Sequence, residues 1–167
     1  PEAPPMLQAQ HAYRLLASWR LIPGTLADGS LDIEVLNKWV DAARSLCRER
    51  GRVIMGDQQI GQILAYAPNG IDTHWPHEVV RDVIERLESV QIERGMVVGV
   101  MNIRGFTWRG LDEGGQQERA LAARYRQSEE ALASSFPRTA AVLRQIAARY
   151  DQHATEEDNE SAMSEYD

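Results

Sequence analysis

Apolar residues return at helical spacing along most of the chain, and their breaks mark the elements. Between Met6 and Arg20 the recurring positions are Ala9, Ala12, Leu15, Leu16 and Trp19, separated by polar residues. "LIPGTLADGS" interrupts this pattern with Pro23, Gly24 and Gly29. Ser30 or Asp32 can then cap a helix whose stripe is Ile33, Leu36, Trp39, Val40, Ala43, Leu46 and Cys47. "RER" followed by Gly51 predicts its end, because cations suit the last turn and glycine the residue after it.

"RVIM" has strand composition but no alternating partner nearby, so it reads as the approach to the next helix. That helix is predicted from near Asp57 to Pro68, burying Ile60, Ile63, Leu64 and Ala67. Trp75-Pro76 is expected to begin another, with Pro76 in the first turn, where no bonded N–H is lost, and a stripe of Val79, Val80, Val83, Ile84 and Leu87. "IERGMVVGVMNI" is rich in Val and Ile, yet Ile92, Met96, Val100 and Ile103 keep helical spacing. Gly95 and Gly99 would give that helix a smooth groove for close packing. A further helix over Gln116–Ser134 presents Leu121, Tyr125 and Leu132, with Phe136 beyond, and Arg126 is placed to pair with Glu130 one turn on. Pro137 opens the last helix, with Val142, Leu143, Ile146, Ala147, Tyr150 and Ala154 facing in.

These elements predict an all-α fold, a single compact bundle of about six or seven helices. The short connection before Pro137 makes the last two an antiparallel pair. Length agrees, since 167 residues with 43% hydrophobic content suit one core. Residues 1–5, "PEAPP", read as a linker into a domain over 6–155, and 156–167 as an acidic flexible tail.

Charge narrows the function classes. The net charge of -7 comes from the end of the chain, where seven carboxylates follow from Asp151 onward without a Lys or Arg. The preceding part is neutral, a poor footprint for nucleic acid. Lys38 is the lone lysine among 18 basic residues, a bias that fits GC-rich coding or a use of arginine for bidentate contacts. The single cysteine, Cys47, cannot form an internal disulfide or a thiolate zinc cluster. With no apolar run of about 18 residues and no leader pattern, the reading is a cytoplasmic protein without a membrane partner.

"NIRGFTWRGLDEGGQQER", residues 102–119, looks most like chemistry. A phosphate cradle would need a strand, a glycine loop, a Lys and a hydroxyl residue before a helix, and those are missing. Gly115 fits a helix cap, with Glu118 at the third helical position. Arg104, Trp108, Arg109 and Arg119 remain as a candidate protein-interaction patch, since Trp and Arg are favoured interface anchors. His74 and His77, near Asp72 and Glu78, lack the spacing of a metal site. Residues 57–85 hold two helices, but Pro68 to Trp75 is too long a connection for a helix-turn-helix, and Glu78, Asp82 and Glu85 would oppose DNA. Cys47 lies among core positions, and no serine sits in a nucleophile elbow. No catalytic, cofactor or metal residue is therefore assigned, and the chain is read as a non-enzyme.

Several phrases, "DGSLDIEVLNKWV", "GDQQIGQILAYAP", "WPHEVVRDVIE", "NIRG", "GGQQERALAARYR" and "PRTAAVLRQIAARYDQHA", together resemble the C-terminal region of large actinobacterial and proteobacterial proteins of unknown function. The resemblance spans about Ala12 to Asp158 and implies an all-helical terminal module of a larger protein. The expected role is a non-catalytic interaction or scaffolding module that binds a protein partner or the rest of its parent chain. The alternative is an accessory domain of a bacterial conflict or defence protein, assisting nucleic-acid processing or hydrolysis carried out elsewhere in the parent.

Overall fold

A computed structural model describes residues 19–104 and 115–164. Six helices make up this part: α1 (Ile33–Glu49), α2 (Val53–Leu64), α3 (Glu78–Leu87), α4 (Val90–Arg104), α5 (Gln116–Leu132) and α6 (Pro137–Ser164). The described residues contain no sheet, only an isolated bridge between Thr25 and Leu31. The fold is all-α.

Helix α1 starts at the expected cap. The Asp32 carboxylate accepts from the N–H groups of Glu34 at 2.8 Å and Val35 at 3.0 Å, which would otherwise lack intrahelical partners. The helix stops at Gly51, whose φ of 64° is open to glycine and costly for most other residues. Leu36 and Val40 are buried, whereas Ile33 and Leu46 of the same predicted stripe are exposed, so the stripe is narrower than its apolar content.

Several boundaries differ from the sequence reading. Helix α2 begins at Val53, not near Asp57, so "VIMG" is its first turn. It gives way after Leu64 to tighter turns, in which Tyr66 and Ala67 donate to the carbonyls of Ile63 and Leu64. Pro76 does not open α3. The Trp75-Pro76 peptide is cis, and the helix starts at Glu78, with His77 Nδ1 accepting from the Val79 N–H. A further difference is at the end, where α6 runs through Ser164, past the Thr155–Glu156 boundary of the sequence reading.

Two helix pairs carry most of the packing, α2 with α4 and α5 with α6. Glycines set the first. A Cβ on Gly61 would strike the Ile92 carbonyl oxygen and come within 2.8 Å of the Met96 nitrogen. One on Gly95 would strike the Gln58 carbonyl, and one on Gly99 would lie 2.6 Å from Ala65 Cβ. The predicted Gly95/Gly99 groove is thus real, and Gly61 on the partner helix deepens it. The backbones touch, with α2 and α4 running in the same sense. Ile60, Leu64, Ile92, Met96 and Val100 are buried around this contact and join Val80, Val83 and Ile84 of α3 in one core.

The second pair is antiparallel, as its short connection demands. Arg119 meets Asp158, Arg126 meets Asp151 and Arg144 meets Glu129 along its length. Arg126 therefore bridges to the neighbouring helix instead of pairing with Glu130 on its own. Val142, Leu143, Ile146, Ala147, Tyr150 and Ala154 are all buried, as the pattern predicts. Glu85 of α3 closes the start of α6: its carboxylate accepts from the Thr139 N–H at 2.8 Å, the Thr139 hydroxyl at 3.0 Å and the Arg138 N–H at 3.2 Å. A negative charge at this positive helix end ties α3 to the antiparallel pair.

Candidate functional site

The end of α2, the loop before α3, the end of α4 and the middle of the α5/α6 pair converge on one open concavity of about 340 Å³. Tyr66 lies just past α2, Trp75 in the loop, Ile103 near the end of α4, Tyr125 on α5 and Tyr150 on α6, with Leu121 completing the wall. Each ring has a reason to be where it is. Trp75 donates its indole N–H to the Ala67 carbonyl at 2.9 Å, which locks the loop against the end of α2. Its ring meets Tyr125 edge-on at 5.8 Å, and Tyr125 stacks on Tyr150 at 5.7 Å, both favoured geometries for aromatic pairs. The Arg20 guanidinium sits 5.3 Å from the centre of the Tyr66 ring.

The loop carrying Trp75 is held from beneath by Arg81. That side chain is only 2% exposed, and its fork donates to both Asp72 oxygens at 2.6 and 2.8 Å. It also donates to the Pro76 and His74 carbonyls at 2.6 Å each, and its guanidinium faces the Phe136 ring at 5.6 Å. Gly70 leaves room for this cluster, since a Cβ there would come within 2.8 Å of Arg81 Nη2. His74, weighed above as a metal ligand, instead places Nδ1 3.2 Å from the Ser128 hydroxyl of α5. Among the described residues no group of three His, Cys, Asp or Glu side chains could hold a metal.

The chemistry of the concavity is apolar surface plus phenol hydroxyls. Burial, and to a lesser degree the neighbouring Tyr150, pushes the Tyr125 hydroxyl up to about 12, against an opposing pull from Arg124. It stays protonated at neutral pH and can donate a hydrogen bond, but it is a poor base or nucleophile there.

The residues expected to form an interaction patch are placed unequally. Arg104 is the last residue of α4, one position beyond Ile103 of the concavity. Trp108 and Arg109 lie outside the described residues. Arg119, on the first turn of α5, donates to both oxygens of Asp158 at 2.7 and 3.1 Å. Asp158 also accepts from the Gly115 N–H at 2.9 Å, so it caps α5 and clamps α6 at once. Arg119 is therefore already engaged within the chain. Gly115 is the cap residue of α5 as predicted, and Glu118 is fully buried. The aromatic wall escaped the sequence reading because Tyr125 and Tyr150 look like ordinary core positions. A phenol where leucine would serve was the available signal.

The clamp has a pH signature. The Arg119 fork, helped by the Gly115 N–H, holds the Asp158 carboxyl down at about 2, below its ordinary 3.8. Arg81 does the same for Asp72, also to about 2. A lowered folded value means that stability is fully present above the ordinary value and is lost as pH falls toward the folded one. Protection factors for amides in 115–119 and 155–160 are therefore expected to hold from pH 7 to 5 and to fall between about 4 and 2. The Asp158→Asn chain should show lower protection there already at pH 7, by no more than about fivefold because the pair is exposed. Equal protection in both proteins would remove the clamp.

Comparison of the chain with family models, curated proteins and solved structures finds no match in any of the three. Among the described residues no helix is long and apolar enough to cross a membrane.

Proposed function

We propose that this chain is a non-catalytic protein-interaction module, whose aromatic concavity receives an apolar side chain of a partner protein or of the rest of a larger parent chain. One observation carries the reading: Tyr66, Trp75, Tyr125 and Tyr150 from four segments wall an open apolar concavity. Rigid aromatic walls give large contact area at little conformational cost, and an inserted side chain there is a typical energetic anchor of an interface. The protonated Tyr125 hydroxyl adds a donor for orientation. A cytoplasmic setting and a position at the end of a larger bacterial protein belong to the same proposal.

Filling the concavity tests it. Leu121→Trp adds bulk to a half-buried wall position. The variant is expected to keep its helical circular dichroism and lose at least about tenfold in affinity for the native partner, a loss typical of one blocked anchor. A folded variant that binds the partner unchanged would overturn the proposal. Turnover of phosphoester or ester substrates by the wild-type chain would overturn its non-catalytic part.

A further inference from the structure

A second concavity, of about 500 Å³, lies between α4 and α6. Arg94 of α4 and Arg149 of α6 line it, with Val97, Val98 and Ala148 as apolar surface. A recess of about 150 Å³ shares Arg94 and Val98 and adds Gln62. Both arginines are exposed, and neither is in an ion pair with a carboxylate among the described residues. The acidic groups nearest them in sequence are committed elsewhere. Glu93 is buried against Arg138, and Asp151 is held by Arg126. The lining thus carries two cations and no carboxylate, in a chain whose net charge is -7.

We propose that this groove binds an acidic peptide segment of a partner protein, its carboxylates meeting Arg94 and Arg149 and an apolar residue resting on Val98. Charge complementarity selects the occupant. A guanidinium presents a planar fork matched to a carboxylate, and the amides of Gln62 and Gln145 can pair with a peptide backbone. Nucleic acid fits less well, because two cations release few counterions and the apolar patch offers no ring on which a base could stack. The groove and the aromatic concavity share no lining residue, so the proposal does not depend on the one above.

The test is fluorescence anisotropy on the whole chain at low ionic strength, with a labelled peptide of glutamates interspersed with leucines. Controls are the same peptide with every glutamate changed to glutamine, and a labelled oligothymidylate. The acidic peptide is expected to bind saturably and to weaken with salt. The double change Arg94→Gln and Arg149→Gln should weaken it by at least about tenfold, as removal of two charge-assisted contacts implies. Because both side chains are exposed, this variant should retain its helical spectrum and melting temperature. Leu121→Trp should leave the affinity unchanged, which separates failure here from failure of the aromatic concavity. No saturable binding, equal binding of the glutamine peptide, tighter binding of the oligothymidylate, or an unaffected double variant would each overturn the proposal.

Discussion

Gly61→Ala is expected to destabilise the chain by about 3 kcal/mol, which lowers the melting temperature by roughly 6–12 °C for a domain of this size. The sign is the informative part. At an open helical position, glycine to alanine stabilises by about 0.5–1 kcal/mol, because alanine restricts the unfolded chain and suits the helix. At Gly61 the new methyl would meet the Ile92 carbonyl oxygen and the Met96 nitrogen, which are backbone atoms of α4 and cannot rotate away. The two helices must separate, loosening the contacts of the buried Ile60, Leu64, Ile92 and Met96 around them. Reversible denaturant or thermal unfolding decides it. A raised melting temperature would mean that α2 and α4 do not touch through their backbones.

Arg81→Met should be about as damaging, at about 3 kcal/mol, and for a different reason. Asp72 is half exposed, so its charge returns to water when the arginine is removed. What remains is the Pro76 carbonyl, which loses its buried guanidinium donor, and a loop released from beneath Trp75. Arg81→Lys should recover little, since one ammonium cannot satisfy Asp72, Pro76 and His74 together. Arg86 gives the comparison: it pairs with Asp41 at 3.0 Å on the surface, and Arg86→Met should cost under about 1 kcal/mol. Similar losses at the two positions would mean that the Arg81 cluster is not a buried support of the loop.

These two residues also mark what the sequence made legible. Helix α4 could be read despite its Val and Ile content, because Ile92, Met96 and Val100 keep one face and the paired glycines keep another. That Gly61 would be their counterpart depends on which helices become neighbours, and no local pattern encodes it. Arg81 lies outside the apolar stripe of its helix, and nothing in that pattern marks it for burial, since charged side chains are seldom buried. Its burial follows from a turn that directs the Asp72 carboxylate and the His74 and Pro76 carbonyls at a single fork. Pro76 was misplaced because a proline before a helical stripe suits the first turn, whereas here His77 caps the helix and it starts at Glu78. Arg126 had a plausible partner on its own helix and took one across the pair, where Asp151 is brought alongside by the antiparallel register. The aromatic concavity was the least legible feature. Its walls come from segments 85 positions apart, from Ala65 to Tyr150, and Tyr125 and Tyr150 alone read as ordinary core positions.

The most direct measurement is photo-cross-linking from the concavity itself. A benzophenone side chain at position 103, where Ile103 is 42% exposed on the lining, would be irradiated in the native cell and the adducts sequenced. The interaction-module reading expects one discrete adduct, to an apolar segment of a partner protein or of the parent chain, that is lost when Leu121→Trp fills the space. Adducts only within this chain, or an adduct unchanged by Leu121→Trp, would contradict it.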